Sequence, residues 1–343
     1  MGTSVLPAGT SIVTIHPSSH HTIRTAFEGY DQMLAVVDPE LRNTFGSVLL
    51  PLIRPYLSTV AAPSGERPGS TPGAILAFGG GTVLDAAKLH AAELGVDWIA
   101  VPTKPTSAAF SATASVKEQG RVSTRVVSPP RQVLLLPEVI CDTPLELLTA
   151  ELLDTWSFQT AVADVVLHGM ATGTAWNAGF IPLFNAATRE LAVLRPADLR
   201  DPAPLRRLMD VQRMLAGVTN QERSTRYVSG AEHLIAHSLL AQGCALPHGH
   251  QVGLGIALAR VLQRSRAALR MTLAERGIQD MPESAWQRIR TWVGSGIQTR
   301  RVEMGVLEHA LHGASSVRET HRYTVLDTVS GEECRAALKG LFS

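Results

Sequence analysis

Lysine, cysteine and net charge are all scarce in this chain, and each scarcity removes a class of function. The 343 residues carry 31 Lys and Arg against 30 Asp and Glu, a formal net charge of +1. No broad positive field exists to hold a phosphate backbone or an anionic bilayer, so neither nucleic acid nor a membrane is an expected partner. The three cysteines, Cys141, Cys244 and Cys334, are odd in number, far apart and never in a CxxC pair. That argues against a disulfide framework and a thiolate zinc site, and leaves reduced, structural residues. Only four lysines occur, Lys88, Lys104, Lys117 and Lys339, and two of them fall inside motifs. No apolar run approaches the ~20 residues of a bilayer span. The opening Met-Gly-Thr-Ser-Val-Leu lacks the basic and apolar regions of a signal peptide, so a soluble, cytoplasmic protein is expected.

What is present is 45% apolar residues, enough for a large core, at a length near two typical domains. Short β-rich runs, Ser11 to Ile15, Met33 to Val37, Ala74 to Phe78, Trp98 to Val101 and Val133 to Leu136, alternate with helical stretches and are bounded by Gly, Pro and Asp. They predict an α/β domain over residues 1–142, built on a mostly parallel sheet. Beyond Thr143 the strand signal stops. Helical periodicity follows over Leu145 to Thr172, Leu205 to Ala216, Gly230 to Gln242, Gln251 to Ser265, Leu269 to Gly277 and Ser284 to Gly294, which predicts an all-α domain over 143–343. The Pro/Gly/Ser-rich stretch Ala61 to Gly73 reads as a loop with no room for a crossover helix.

Gly79-Gly80-Gly81-Thr82 follows an apolar strand and opens a helix that runs through Asp85 to Lys88. Glycines let a backbone approach a phosphate closely, and the first N–H groups and dipole of the helix attract the anion. The plain alternative is a tight strand-to-helix turn. Asp38, at the end of Met33 to Val37, is placed to accept both ribose hydroxyls of a dinucleotide and to repel a 2'-phosphate, favouring NAD(H) over NADP(H). Asp38-Pro39-Glu40 is equally a helix cap with proline at the first helical position.

Four of twelve histidines fall between His233 and His250. His233 and His237 are four apart and share a helix face, and a turn containing Pro247 and Gly249 can return His248 against it. Converging imidazoles suit a divalent metal if a carboxylate completes the set. Asp154, within the apolar stretch Leu147 to Phe158, is the candidate, since a charge beside an apolar face is costly unless paired or metal-bound. Capping or neutral core histidines and an exposed helix charge are the plain alternatives.

Four segments in order, and a fifth near the C-terminus, then resemble one superfamily, that of dehydroquinate synthase, glycerol dehydrogenase and the iron-containing alcohol dehydrogenases. Gly79 to Lys88 is similar to its GGGSxxDxAK loop and Val101-Pro102-Thr103 to its VPT loop. RYVSGAEHLIAH (226–237) with LPHGHQVG (246–253), and RYTVLD (322–327), resemble the sn-glycerol-1-phosphate dehydrogenase branch. The resemblance implies a Rossmann-like domain followed by a helical metal-binding domain, the dehydroquinate synthase-like architecture, with the site in the cleft between them. It implies one divalent metal (Zn, Fe or Ni) on Asp154, His233 and His248, with His237 one turn away. It places dinucleotide phosphates on Gly79, Gly80 and Gly81, with Thr82, Asp85 and Thr103 in the cofactor loops and the ribose near Asp38. A homo-oligomer acting on a small-molecule substrate is expected.

Departures from the branch bear on the substrate. Ala108 stands where the VPTxPSxDG loop has an acid, Phe158 where a lysine is expected four residues after the metal Asp, and His250 where HGE has its Glu. Lys104 is unusual at its place and can restore the lost charge. The loop Ala61 to Gly73 replaces a helix, and no glycine lies between Gly9 and Gly29, so the nucleotide domain is trimmed. The leading reading is metal-dependent hydride transfer between NAD(P)(H) and a small polar carbonyl or hydroxy compound, with His237 or His250 relaying a proton. A cyclase or lyase without net redox change and a silent binding protein are the alternatives.

Overall fold

The computed structural model describes residues 11–14, 27, 29–30, 32–63, 71–118, 121–300, 303–318 and 321–342. Most of the stretch between Gly9 and Gly29, and residues 64–70 of the loop after Ala61, lie outside them. Among the described residues there are eight strands: β1 Ser11–Thr14, β2 Met33–Val37, β3 Leu57–Ala61, β4 Ala74–Gly79, β5 Asp97–Pro102, β6 Thr113–Glu118, β7 Arg121–Val126 and β8 Gln132–Leu135. Helices of nine or more residues are α1 Gly81–Leu94, α2 Leu145–Trp156, α3 Phe158–Thr172, α4 Ile181–Ala192, α5 Pro202–Glu222, α6 Ala231–Ala241, α7 His248–Ser265, α8 Ala267–Glu275, α9 Glu283–Arg300, α10 Met304–Gly313 and α11 Gly331–Phe342.

The first unit is a six-stranded sheet in the order β1-β8-β5-β4-β2-β3, and every pairing is parallel. Alternation within the apolar runs gives the sheet two buried faces. Leu34, Val36, Ile75, Ala77, Trp98, Ala100, Val133 and Leu135 point to one side. Met33, Ala35, Val37, Ala74, Leu76, Phe78, Ile99, Val101 and Leu134 point to the other. A strand buried on both faces has no polar residue to alternate with, which is why these strands read as continuous hydrophobic runs. Val83, Leu84, Ala87 and Ala91 of α1 cover the first face, together with Leu205, Met209 and Ala216 of α5. Phe27, Phe45, Leu49 and Ile53 cover the second.

The placement of α5 modifies the expected boundary. Contacts group residues 1–115, 124–144 and 198–223 in one compact unit and 116–123, 145–197 and 224–343 in the other, so the division is not a single cut after 142. The expected strands are all found. The edge strand β3 and the two-stranded sheet of β6 and β7 are additional.

The second unit is helical. The periodic stretch Leu145 to Thr172 is two helices, interrupted at Ser157, whose hydroxyl donates to the Val228 carbonyl at 2.8 Å. Helix α7 is buried along nearly all its length and packs on α2 and α6. Its glycines set how closely. A Cβ on Gly249 would stand 1.8 Å from the Ala150 carbonyl oxygen of α2, and one on Gly255 would stand 2.3 Å from the Glu232 carbonyl oxygen of α6. Glycine costs roughly 1 kcal/mol in a helix interior, and here close backbone approach offsets it. Among the described residues, no helix is long and apolar enough to cross a membrane.

Candidate functional site

In the helical unit three elements distant in sequence bring their donors together. Asp154 lies near the end of α2, His233 in the first turn of α6, and His248 opens α7 behind Pro247. The turn before α7 is fixed by Gln251, whose amide donates to the carbonyls of Leu246 (2.8 Å) and Cys244 (3.1 Å). Asp154 Oδ1 is 3.3 Å from His233 Nε2 and 4.0 Å from His248 Nε2. One donor atom from each of the three residues lies within 4.8 Å of the other two. Donors about 2.0–2.2 Å from a tetrahedral zinc are themselves roughly 3.4 Å apart. The borderline-hard O/N/N donor set suits zinc or iron, so the residues present fit one divalent cation.

His237 packs on both imidazoles, with ring centroids 6.0 Å from His233 and 5.7 Å from His248. His250, two residues beyond His248 on α7, is buried as well.

Behind the cluster lies a buried polar network that the sequence reading missed. Glu232 is fully buried; its Oε1 accepts the Gly230 N–H at 2.5 Å and lies 3.1 Å from His233 Nδ1, while Oε2 accepts the Thr160 hydroxyl at 2.8 Å. Burial alone would lower the pKa of His233, but its hydrogen bonds to Asp154 and Glu232 outweigh that and raise it to about 9. Asp164 is buried at 2% exposure and accepts from Ala231 N–H (2.8 Å), the Gln263 amide (2.8 Å) and Val325 N–H (2.9 Å). Desolvation, and then the Glu232 charge, push its pKa to about 7. Arg322 donates to the Ser229 carbonyl and, at 3.1 Å, to the Thr225 hydroxyl. Burial pulls its pKa down to about 9, with the Arg318 charge acting the same way and Glu232 and Asp164 opposing. The sequence signal that could have found Glu232 is a charge among Ala231, Leu234 and Ile235, all buried on the same helix.

In the first unit Gly80 caps α1 without a side-chain cap, and a Cβ on it would meet Lys104 Cε at 2.8 Å. The lysine stem therefore lies across the glycine turn. The Thr103 N–H donates to the Gly79 carbonyl at 3.2 Å, and the Thr103 carbonyl accepts the Thr143 hydroxyl at 3.1 Å, which pins the Val101–Thr103 segment to that turn. Thr82 is exposed in the first turn of α1 and Ala108 lies against Gly81. Asp38 ends β2, and its backbone N–H donates to the Phe78 carbonyl at 3.0 Å. Its Oδ1 accepts the Glu40 N–H at 3.1 Å, so the helix-cap reading holds and leaves Oδ2 outside the cap.

Of the residues placed in the cofactor loops, Asp85 is tied into the fold: Oδ1 accepts from Lys88 Nζ at 2.9 Å and Oδ2 from Ser115 N–H at 3.0 Å. Lys88 is fully buried and also reaches Ser111 Oγ and the Thr113 carbonyl. Phe158, at the place of a lysine, stacks between Trp156 and Phe184 in the core and offers an anion nothing.

The family described as iron-containing alcohol dehydrogenase matches residues 58–144. The glycerol-1-phosphate dehydrogenase [NAD(P)+] of Halobacterium salinarum is 31% identical over 272 residues, 76% of this chain and 72% of that one. The enzyme of the same name from Thermococcus kodakarensis is 30% identical over 281 residues, 78% of this chain and 73% of that one. Two solved structures share the fold at low identity. Sulfoacetaldehyde reductase from Bifidobacterium kashiwanohense, solved in complex with NAD+, has a TM-score of 0.69 at 13% identity and 98% coverage of both chains. The iron-containing alcohol dehydrogenase from Thermococcus thioreducens has a TM-score of 0.69 at 14% identity, covering 98% of this chain and 99% of that one.

Proposed function

The chain belongs to the glycerol-1-phosphate dehydrogenase branch of the iron-containing alcohol dehydrogenase superfamily, a group of NAD(P)-linked oxidoreductases, and from that premise we propose the residues and the substrate class of its reaction. Asp154, His233 and His248 hold one divalent cation, zinc, iron or nickel. The observation that carries this reading is the convergence of their donor atoms within 4.8 Å, from three separate helices. When bound, the cation polarises the substrate oxygen and stabilises developing alkoxide charge. His237, one turn from His233, holds or receives the proton of the substrate hydroxyl.

Gly79, Gly80 and Gly81, with the first N–H groups of α1, cradle the dinucleotide phosphates, and Lys104 adds a cation at the same turn. Asp38 accepts the ribose hydroxyls, which favours NAD(H) over NADP(H). The substrate is a small polar carbonyl or hydroxy compound that need not be phosphorylated, because Phe158 and Ala108 offer no grip for a glycerol phosphate. A site that has lost such partners should discriminate against the parent substrate.

The test is NADH oxidation by zinc-, iron- and nickel-loaded protein over a panel of small aldehydes and ketones, with dihydroxyacetone phosphate as the control. Turnover of an unphosphorylated carbonyl in preference to dihydroxyacetone phosphate supports the reading. Efficient use of dihydroxyacetone phosphate makes the protein an ordinary glycerol-1-phosphate dehydrogenase. Bound cofactor with no net redox change on any carbonyl moves the weight to a cyclase or lyase.

A further inference from the structure

We infer that Glu232 is a positioning residue for the metal centre: its carboxylate fixes the His233 ring with Nε2 turned toward Asp154, and Arg318 and Arg322 of the C-terminal segment support that carboxylate. The inference rests on the metal reading above and adds to it a residue that touches neither metal nor substrate. Imidazole has two nitrogens and only one faces the cluster. With Nδ1 3.1 Å from Glu232 Oε1, the ring would keep its Nδ1 proton on that carboxylate when a cation takes the place of the Nε2 proton, which leaves Nε2, 3.3 Å from Asp154 Oδ1, as the ligating nitrogen. A carboxylate behind a ligating histidine sets both tautomer and ring orientation and raises ligand basicity.

Glu232 is itself locked. Gly230 N–H and the Thr160 hydroxyl hold its two oxygens, and it has no exposure through which to swing away. A buried carboxylate is costly without compensating charge. Two cations of the C-terminal segment, Arg318 and Arg322, are held at the turn that precedes it. They are anchored beside it, Arg318 on the Ser229 hydroxyl at 3.3 Å and Arg322 on the Ser229 carbonyl and Thr225. A few residues on, Val325 N–H is held by Asp164, which also holds Ala231 N–H at the start of α6. The RYTVLD segment thus gains a role: it braces the helix end that presents Glu232 and His233.

The experiment strips metal from the full-length chain, titrates zinc back against a chromophoric chelator, and follows thermal unfolding of the same metal-free samples. Glu232→Gln keeps the shape and an acceptor for Gly230 but lets the amide donate to Nδ1 and select the wrong tautomer. Zinc affinity should fall by ~10- to 100-fold, with little change in the metal-free unfolding midpoint. In a His233→Ala background, where the group to be positioned is gone, Glu232→Gln should cost less than about 3-fold. Arg322→Gln should weaken zinc in the same direction by a smaller factor. Affinity of Glu232→Gln within about 3-fold of wild type, or the same loss with and without His233, overturns the inference and leaves the metal reading standing. Wild type that binds no zinc overturns both. Should Glu232→Gln not fold, Thr160→Val removes one hydrogen bond from Oε2 and should weaken zinc roughly 2- to 10-fold; unchanged affinity there is equally decisive against it.

Discussion

The two units carry their chemistry in different materials. In the sheet unit the candidate contacts are backbone: N–H groups at the start of α1, a glycine turn and a strand end, with Lys104 and Asp38 as additions. In the helical unit they are side chains from three helices, held from behind by buried Glu232 and Asp164. A backbone cradle tolerates changes around it, because its donors come with the fold. A side-chain cluster depends on every helix that presents a donor and on the charges that orient it. The same contrast separates what is kept from what is altered relative to the branch: glycines and metal-type donors persist, while Ala108 and Phe158 replace polar residues that would face a substrate.

The largest effect should come from the donors themselves. Replacing His233 and His248 together by alanine should weaken metal binding by more than ~100-fold, beyond any loss expected from an outer partner, and abolish hydride transfer. Elemental analysis of the purified variant checks it. Full occupancy would dissolve the contrast drawn above, since the cluster would then be an ordinary group of helix polar residues.

Next are the glycines, which sharpen the comparison directly. Gly249→Ala drives a methyl into the backbone of Ala150, on the helix that carries Asp154, so it should cost about 3 kcal/mol or more and disturb the metal geometry with it. Gly80→Ala meets only the far end of the Lys104 side chain, which can move, so less than about 1 kcal/mol is expected. Urea unfolding of both variants decides it, and similar losses would mean that the two units are equally rigid at these points.

Asp164 gives a smaller, pH-dependent effect. Its folded pKa of about 7 lies above the ordinary value of 3.8, so the folded chain binds the proton more tightly than the unfolded one. This group therefore costs nothing below pH 4, subtracts increasingly from stability as pH rises from about 4 to about 7, and is constant above that, with an upper bound of about 4 kcal/mol. The difference in urea midpoint between wild type and Asp164→Asn should narrow or reverse between pH 5 and pH 8. A difference that does not vary with pH would place the proton elsewhere.

Local pattern made most of the fold legible, and physical reasons mark where it stopped. Strands buried on both faces announced themselves as apolar runs with Gly, Pro or Asp at their ends. The edge strand Leu57–Ala61 did not, because its Ser58, Thr59 and Val60 are exposed and nothing forces apolar letters there. α5 was read as a helix but not assigned to the sheet unit, since periodicity tells which face is buried and not against what. Asp154, His233 and His248 were legible as donors of the right types. The bonds of Asp85 to Lys88 and Ser115 were not legible, because these partners can be recognised only once the chain is folded. The partners of Asp164 were invisible for the same reason: it meets Ala231 and Val325 across separations of 67 and 161 residues.

The smallest effect tests Asp38, the carboxylate that follows the second strand of the sheet unit. Asp38 already spends Oδ1 on the Glu40 N–H, so its service to a ribose would rest on Oδ2 and on charge. A carboxylate at the end of a parallel strand accepts ribose hydroxyls and repels a 2'-phosphate. Two charges about 4 Å apart in a water-rich groove interact by ~1 kcal/mol or somewhat more. NADH should therefore bind about tenfold more tightly than NADPH, and Asp38→Asn, which keeps the cap acceptor, should remove most of that preference while leaving stability unchanged. Fluorescence titration of both cofactors into both proteins reads the ratio. Equal binding by the wild type would show that Asp38 is a helix cap alone, and that the sheet unit holds its dinucleotide by backbone and Lys104 without discriminating at the ribose.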